Sequence, residues 1–366
     1  MTSPVRVLVV DDSALMRKLI PQLLAADSSI QVVGTAMDGI FGLKKIEELR
    51  PQVITLDLEM PGMGGLEMLK EIMRTHRLPV IVVSSHSTQG ASVTLKALSM
   101  GAFDFVAKPT DVTSRMSEVG KELIAKIKAA AQSRGITVSR VEQPVIAARE
   151  KATPVLSGLP TRVIAIGIST GGPQALQYLL PQLPKDFPAS IVIVQHMPEG
   201  FTEMFARRLD DICAIRVKEA QSGDLLLPGR ALVCPGSRHI RVKRMARGPV
   251  AVLSDEPRVN GHRPSADVLF ESVAEEFRDN SIAVIMTGMG EDGAHGLGMV
   301  RDAGGLTIAQ NEDSCIVYGM PKAAIERGYA ARIVGLDALA NSLIVHCTQD
   351  RKNGIAKGEA AGAGHN

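Results

Sequence analysis

The sequence alternates twice between short runs of β-branched residues and longer segments whose apolar residues recur every three or four positions. Before Pro109 the short runs are RVLVV, QVVGTAM, PQVITLD, PVIVVSS and AFDFVAKP. Segments such as SALMRKLIPQLLAA and GLEMLKEIMRTH separate these runs, and SEVGKELIAKIKAAA follows the last of them. Strands that alternate with helices in this way predict an α/β domain built on a doubly wound parallel sheet.

The alternation stops near Gln132 and starts again at Arg162, with RVIAIG, ASIVIVQH and SIAVIMTG as further strand-like runs. The stretch between the two halves has several prolines and no sustained period, which predicts a linker. The final residues, RKNGIAKGEAAGAGHN, are rich in Gly and Ala and poor in large apolar side chains, so we expect a flexible tail. The predicted divisions are a first domain over 1–131, a linker over 132–160, a second domain over 161–348 and a tail over 349–366.

The composition fits two α/β domains and disfavours several other classes of protein. Hydrophobic residues make up 45% of the 366 residues and aromatic residues only 3%. The formal charge of +2 comes without a basic cluster, so we expect no nucleic-acid partner. No apolar run approaches the ~20 residues of a membrane span and no secretion signal is recognisable, so we expect a cytoplasmic protein without direct membrane insertion. The cysteines are widely spaced and form no CxxC pair, which argues against a zinc site or a disulfide framework: Cys213, Cys234, Cys315 and Cys347.

Charged and hydroxyl side chains follow the strands predicted in the first half: Asp11, Asp12, Asp57, Ser84 and Lys108. Ligands bind at the carboxyl ends of parallel strands, which meet at one edge of the sheet, so we expect these side chains to converge. Three carboxylates would repel one another unless a hard cation joined them, and Mg²⁺ takes such oxygen ligands. Asp57 is then the candidate acceptor of a phosphoryl group whose oxygens Lys108 and Ser84 would bind.

VVDDS, VITLDLEMPGM, VVSS and FVAKP together resemble the motifs of the receiver domain of two-component response regulators, over Val5 to about Ala130. The resemblance implies a flavodoxin-like fold, phosphorylation by a histidine kinase and bound Mg²⁺. It implies metal ligands at the carboxylates of Asp11, Asp12 and Asp57 and at the main-chain carbonyl of Glu59.

The same resemblance implies the residues that respond to phosphorylation. Asp57 is the implied phosphoacceptor, Ser84 the switch hydroxyl and Lys108 the lysine of the site. Phe105 falls at the position of an aromatic rotamer switch, although it fits a core position of the strand equally well. The Lys108–Pro109 peptide matches one that is cis in this family.

In the second half, GISTG (167–171) is a G-x-S-x-G sequence between a strand-like run and the start of a helical segment. This is the context of a nucleophile elbow, in which small residues let the backbone turn sharply and helix N-terminal amides stabilise an oxyanion. A phosphate-binding turn or a merely tight turn has the same composition. The motif alone therefore leaves both a nucleophilic and a structural Ser169 open.

A nucleophilic serine needs a base, and the base needs an acid that orients it. His196 ends the next strand-like run and Asp292 follows a later one, within TGMGEDG, so we expect both at the sheet edge of Ser169. His295 is an alternative base, which would restore the serine, acid, histidine order of α/β-hydrolases, and Glu291 is an alternative acid. The strand-end argument favours His196 and Asp292.

IGISTGGPQAL, IVIVQHMPEGF, GHRPSADVLF and IMTGMGEDGAHG together resemble the catalytic domain of chemotaxis response-regulator protein-glutamate methylesterases, which follows a receiver domain in that family. The resemblance implies a Rossmann-like catalytic domain without a cofactor, in which Ser169 is the nucleophile, His196 the base and Asp292 the orienting acid. Thr170 lies beside the implied nucleophile, and Met289 is implied to contribute main chain to the pocket.

The motif GHRPSADVLF is open to two interpretations. In one, His262 and Arg263 contact the substrate. In the other, Pro264 occupies the first position of a helix.

The resemblance also implies the reaction and the partners. The reaction is hydrolysis of glutamate γ-methyl esters on methyl-accepting chemoreceptors, with deamidation of specific glutamines as the related activity. The receiver is expected to cover the catalytic site until a chemotaxis histidine kinase phosphorylates it, and phosphorylation is then expected to uncover the site. The alternative is a response regulator whose second domain binds a ligand or a partner without catalysis. A DNA-binding output is disfavoured because no basic recognition helix is recognisable.

Overall fold

The computed structural model describes residues 3–85, 87–108, 116–133, 160 and 162–348. The chain divides into two compact units, Met1–Arg140 and Val141–Asn366. Most of the predicted linker (134–159) and the predicted tail over 349–366 lie outside the described residues. So does Pro109, and with it the predicted cis peptide.

The first unit contains a five-stranded parallel sheet with the order β2-β1-β3-β4-β5. The strands are β1 (Val5–Val10), β2 (Ile30–Ala36), β3 (Val53–Leu56), β4 (Val80–Ser84) and β5 (Asp104–Ala107). The helices are α1 (Ala14–Leu24), α2 (Gly39–Leu49), α3 (Gly65–Thr75), α4 (Thr88–Ser99) and α5 (Met116–Gln132). This strand order is that of flavodoxin-like folds, in which the order reverses between the first and third strands.

Packing and helix caps bring the loops after β1 and β3 together. Strands β3 and β4 are buried along their whole length, because helices cover both faces of the sheet. The side chains of Ser13 and Asp38 accept hydrogen bonds from amides in the first turns of α1 and α2 and so start these helices. Val10 and Leu56 are register partners in β1 and β3, so the residues that follow these strands are neighbours.

The second unit contains a seven-stranded parallel sheet with the order β14-β13-β12-β6-β7-β9-β8, and a separate antiparallel pair, β10 and β11. The strands are β6 (Val163–Ile168), β7 (Ser190–Gln195), β8 (Arg216–Glu219), β9 (Arg230–Val233), β10 (His239–Met245), β11 (Gly248–Ser254), β12 (Ser281–Ile285), β13 (Leu306–Gln310) and β14 (Arg332–Val334). The helices are α6 (Gly172–Leu179), α7 (Phe201–Ile212), α8 (Ala266–Phe277), α9 (Ala294–Asp302) and α10 (Met320–Glu326), followed by a helix over 336–348.

The order of the second sheet reverses between β6 and β12. The chain runs from β6 outward through β7, and later returns to β12 on the other side of β6. Gly167 and Ile285 are register partners at the carboxyl ends of these two strands. Ligands bind at such reversal points in open α/β sheets. The predicted fold class, two doubly wound parallel-sheet domains, is confirmed.

Helix α8 packs closely on the central strand β6. A Cβ atom added at Gly167 would lie 2.6 Å from the Cβ atom of Ala266, the first residue of α8. Phe270 of the same helix is fully buried in the core of this unit. The absence of a side chain at Gly167 therefore lets the N-terminus of α8 approach the carboxyl end of β6.

Several features of the second unit were not predicted from the sequence. Strands β8 and β14 are short and only partly buried, so their residues give little apolar periodicity. The expectation that Pro264 occupies the first position of a helix is wrong, because α8 begins at Ala266 with Ser265 as its N-cap residue. The four cysteines are buried, and none of them forms a disulfide. Among the described residues, no helix combines the length and the apolar character needed to cross a bilayer.

Candidate active site and receiver site

Ser169 lies between β6 and α6, at the edge of the second sheet. Its amide donates to the carbonyl of Thr287 (3.0 Å), and its carbonyl accepts from the amide of Gly172 (2.8 Å) and the side chain of Gln195 (3.0 Å). Gly171, the N-cap residue of α6, has φ 78°, a conformation that glycine adopts without strain. The peptide groups around Ser169 are thus held from both neighbouring strands, while its side chain remains partly exposed.

The loop after β12 packs directly against Ser169. A Cβ atom added at Gly288 would lie 2.7 Å from the Cβ atom of Ser169 and 2.3 Å from the sulfur of Met320. Met289 follows Gly288 and is partly buried, whereas Thr170 is buried. Among the described residues, the amides of Thr170 and Met289 have no hydrogen-bond acceptor. The turn after Ser169 and the loop that carries Met289 therefore offer two backbone donors that no described residue uses.

His196 follows β7, and its amide donates to the carbonyl of Ile168 (3.1 Å) next to Ser169. Its side chain is 9% exposed, and its Nε2 atom lies 2.8 Å from Oδ2 of Asp292. The Nδ1 atom is buried and has no hydrogen-bond partner among the described residues, so the structure contains no hydrogen bond between His196 and the hydroxyl of Ser169. Nδ1 is nevertheless the only ring nitrogen left for a proton transfer, because Nε2 is engaged.

Asp292 is buried and accepts hydrogen bonds from three other groups besides His196. Ser265 Oγ donates to Oδ1 (2.6 Å), the amide of Ala266 donates to Oδ2 (2.6 Å), and Asn260 Nδ2 lies 3.3 Å from Oδ1. Burial alone would raise the pKa of Asp292, but the bonds from His196, Ser265 and Ala266 outweigh it and lower the pKa to about 2. Ser265 and Asn260 were not predicted as site residues from the sequence, although Ser265 lies within the GHRPSADVLF motif.

The structure distinguishes the favoured residues from the alternatives. His295 and Glu291 are exposed, and Glu291 pairs with Arg327 at 2.5 Å. The ring of His262 stacks on that of His196, with centroids 4.0 Å apart and an interplanar angle of 4°. His262 therefore contacts the candidate base directly, a role that neither interpretation of its motif anticipated.

Acidic side chains of the first unit converge after β1 and β3. The carboxylates of Asp11, Asp12 and Asp57 offer oxygens that lie within 4.8 Å of one another, and Asp12 is exposed. Lys108 Nζ lies 2.6 Å from Asp57 and 3.1 Å from Asp11. Burial and Asp57 raise the pKa of Asp11 although Lys108 opposes this. The amide of Glu59 donates to Asp57 (3.1 Å), which places the Glu59 main chain beside this cluster. Three clustered carboxylates are the hard oxygen donors that Mg²⁺ takes, so these residues fit the implied ion.

Two further receiver residues lie nearby in the sheet. Ser84 is buried and accepts a hydrogen bond from Thr94 (2.6 Å). Phe105 is 4% exposed, and the ammonium group of Lys126 lies 5.4 Å from the centroid of its ring. Phe105 is therefore a core residue of β5 in this conformation.

Two family models match the chain, one in each unit. A family model described as CheB methylesterase matches residues 164–343, and one described as response regulator receiver domain matches residues 7–119. The chain is 61% identical to protein-glutamate methylesterase/protein-glutamine glutaminase 2 of Koribacter versatilis, over 96% of this chain and 98% of that protein. It is 46% identical to the protein-glutamate methylesterase/protein-glutamine glutaminase of Symbiobacterium thermophilum, over 93% of this chain and 96% of that protein.

The crystal structure of the Thermotoga maritima CheB methylesterase catalytic domain is 42% identical to this chain, covers 50% of this chain and 97% of its own, and has a TM-score of 0.49. The identities to full-length relatives extend over both units and not over the catalytic unit alone. The chain therefore belongs to the family of CheB methylesterases, the protein-glutamate methylesterases/protein-glutamine glutaminases that carry a response regulator receiver domain.

Proposed function

We propose that the chain hydrolyses glutamate γ-methyl esters on methyl-accepting chemoreceptors, and deamidates specific glutamines, through Ser169, His196 and Asp292. The observation that carries this proposal is the 2.8 Å contact between His196 Nε2 and Asp292 Oδ2, at the sheet edge where Ser169 lies. A largely buried histidine paired with a buried carboxylate, beside a partly exposed serine, is the arrangement of an activated nucleophile.

In the first half of the reaction, Ser169 Oγ attacks the ester carbonyl carbon and transfers its proton to His196 Nδ1. The tetrahedral intermediate then collapses, the bond to the methoxy oxygen breaks, and His196 returns the proton to that oxygen so that methanol leaves. In the second half, a water molecule attacks the acyl-enzyme and gives a proton to Nδ1. The bond between the acyl carbon and Ser169 Oγ then breaks, Nδ1 returns the proton to Oγ, and the glutamate side chain is released. With a glutamine substrate, ammonia leaves in place of methanol.

Asp292 sets the protonation pattern of the base. Its pKa of about 2 keeps it ionised at neutral pH, and as an acceptor it holds the proton of His196 on Nε2. The lone pair of the neutral imidazole is then on Nδ1, the nitrogen that has no partner among the described residues. The carboxylate also stabilises the imidazolium that forms when His196 takes the proton of Ser169.

The amides of Thr170 and Met289 are the proposed donors to the oxyanion. Neither has an acceptor among the described residues, and Gly288 brings the Met289 loop against Ser169. Preorganised amides of this kind stabilise the negative charge that develops on the carbonyl oxygen, and the loss of one donor typically lowers the rate about 100- to 1000-fold.

The receiver site is proposed to control this activity. Asp57 would accept a phosphoryl group from a chemotaxis histidine kinase, with Mg²⁺ held by the clustered carboxylates and the Glu59 main chain. When bound, Mg²⁺ neutralises charge on the phosphoryl oxygens. In this structure Lys108 is paired with Asp57 and Asp11. After phosphorylation, its ammonium group would bind those phosphoryl oxygens, and so would the hydroxyl of Ser84. Phe105 would change its rotamer in response, and the receiver would then no longer inhibit the catalytic unit.

The substrate implies a cytoplasmic location, because the proposed esters lie on the cytoplasmic helices of the receptors. The decisive test of the proposed function is methanol release from methylated receptor membranes by Ser169→Ala. We expect no detectable release together with an intact fold, since the loss of one hydroxyl costs only ~1 kcal/mol in stability. Wild-type turnover by this variant would contradict the esterase mechanism and favour a binding module.

A further inference from the structure

The carboxylate of Asp292 has a hydrogen-bond donor for each of its four acceptor positions. Oδ1 accepts from Ser265 (2.6 Å) and Asn260 (3.3 Å), and Oδ2 accepts from Ala266 (2.6 Å) and His196 (2.8 Å). A carboxylate offers about four lone-pair sites, so this group is fully satisfied. Three of the four donors come from one segment, 260–266, which lies immediately before and at the start of α8.

Ser265 does not do what an N-cap serine usually does. It is the N-cap residue of α8, yet its side chain makes no hydrogen bond to an amide of that helix. Its hydroxyl is fully buried and donates to Asp292 instead. Asp292 in turn accepts the amide of Ala266, so the carboxylate of the loop after β12 satisfies the first amide of α8. The choice of partner indicates that the hydroxyl of Ser265 serves Asp292 and not its own helix.

The division of donors between the two oxygens fixes the rotation of the carboxylate. Ser265 and Asn260 hold Oδ1 on the side away from the imidazole, which leaves Oδ2 for His196. Without Ser265, only the longer contact from the exposed Asn260 holds Oδ1. A carboxylate that rotates no longer aligns with Nε2–H, and a misaligned hydrogen bond weakens steeply.

We propose that Ser265, assisted by Asn260, is a positioning residue for the hydrolysis, which locks the Asp292 carboxylate so that His196 keeps the orientation and tautomer of a base. The proposal rests on the proposed function for its kinetic consequences. Its structural part, the dependence of the His196–Asp292 hydrogen bond on Ser265, does not.

The first experiment compares Ser265→Ala with Ser272→Ala in the full chain. Ser272 is a matched control, because it is a buried serine of the same helix whose hydroxyl bonds to the carbonyl of Leu269 and the amide of Val242, away from Asp292. For Ser265→Ala we expect kcat for methanol release to fall about 10- to 100-fold with KM within twofold, since a charge-assisted hydrogen bond is lost from the base assembly and not from the substrate site. Ser272→Ala should keep kcat within twofold of wild type.

The second experiment reads the hydrogen bond without turnover. The downfield proton resonance of His196 Nε2–H, assigned by its disappearance in His196→Gln, is recorded in a Ser169→Ala background with or without Ser265→Ala or Ser272→Ala. We expect Ser265→Ala to shift or broaden this resonance and Ser272→Ala to leave it unchanged. This readout remains valid even if Ser169 turns out not to be the nucleophile, so it separates failure of the positioning role from failure of the proposed function.

Asn260→Gly is a variant expected to keep the fold. Asn260 is exposed and has φ 52°, so glycine removes the amide, and with it the 2.6 Å hydrogen bond to Oδ2 of Asp267, without a core cavity or backbone strain. We expect kcat to fall about 3- to 10-fold and the His196 resonance to shift in the same direction as in Ser265→Ala. The proposal is overturned if Ser265→Ala matches Ser272→Ala in both kcat and resonance, or if Ser265→Ala does not fold and Asn260→Gly leaves both unchanged.

Discussion

Gly288 packs so closely against Ser169 that a methyl group on its Cα would lie 2.7 Å from the Cβ atom of the serine. Non-bonded carbon atoms do not approach to this distance, so the loop after β12 and the turn after β6 can adopt their present positions only with glycine at 288. The same methyl group would meet the sulfur of Met320 at 2.3 Å. The absence of one side chain therefore sets the distance between the candidate nucleophile and the Met289 loop.

Gly288→Ala is expected to lower methanol release at least 100-fold, because the Met289 loop must move away from Ser169 and take its amide with it. Gly298→Ala is the control: its methyl group would press on the ring of Tyr329 at 3.1 Å, and none of its nearest neighbours is Ser169, His196 or Asp292. Both variants are compared by initial rate and by thermal unfolding. Near-wild-type turnover by Gly288→Ala would show that the loop does not contribute to the reaction.

His196→Gln is expected to lose turnover by several orders of magnitude, since the members of a catalytic triad act as a unit. His295→Gln should remain within about twofold of wild type, because His295 is exposed and Asp292 pairs with His196. The measurement is the rate of methanol release at saturating receptor. The reverse ranking of the two variants would assign the base to His295.

Asp292 should make the stability of the second unit depend on acid pH. Its pKa is about 2 in the folded chain against an ordinary value of 3.8, so the unfolded chain takes up the proton first as the pH falls. The contribution, about 2 kcal/mol, is complete above about pH 5, where the unfolded chain is also ionised, and is lost as the pH falls toward 2. In urea unfolding of Asp292→Asn, the free energy of unfolding should decrease less over this interval than in wild type. Parallel curves would show that Asp292 does not have a depressed pKa.

Asp57→Asn is expected to bind Mg²⁺ less tightly, to accept no phosphoryl group and to remain at basal esterase activity with a small-molecule phosphodonor present. The substitution removes one of three clustered carboxylates and the atom that would be phosphorylated. Calorimetric Mg²⁺ titration and rate measurements with and without phosphodonor test this. Activation of Asp57→Asn by the phosphodonor would place the phosphoacceptor elsewhere.

Deletion of the receiver is expected to relieve inhibition. If the receiver covers the catalytic site, a fragment from about Ala148 onward should hydrolyse esters faster than the unphosphorylated full chain, without any phosphodonor. Rates of fragment and full chain are compared at equal concentration of folded protein. A fragment no faster than the unphosphorylated full chain would mean that the receiver activates through direct contacts instead of by occlusion.

The sequence by itself was sufficient for the fold class and for the central strands. Strands such as β3, β6 and β7 lie between helices and are buried on both faces, so they must be continuous apolar runs that are visible without coordinates. The polar residues that follow such strands are just as visible, and the loops after parallel strands meet at one edge whatever the details of packing. For this reason Ser169 and Asp292 could be identified as candidates before any distance was known.

Tertiary structure decided which of these groups touch and through which atoms. The pairing of His196 with Asp292 joins residues that are far apart in the sequence. Which ring nitrogen, Nε2 or Nδ1, contacts Asp292 depends on the orientation of the imidazole at the end of β7. The bond from Ser265 to Asp292 could not be inferred, because the local rule for a serine before a helix predicts a cap and the structure uses the hydroxyl elsewhere. The periodicity of apolar residues indicates which face of a helix or strand is buried. Hydrogen-bond partners depend on distances between side-chain atoms, and only the packing of the folded chain determines those distances.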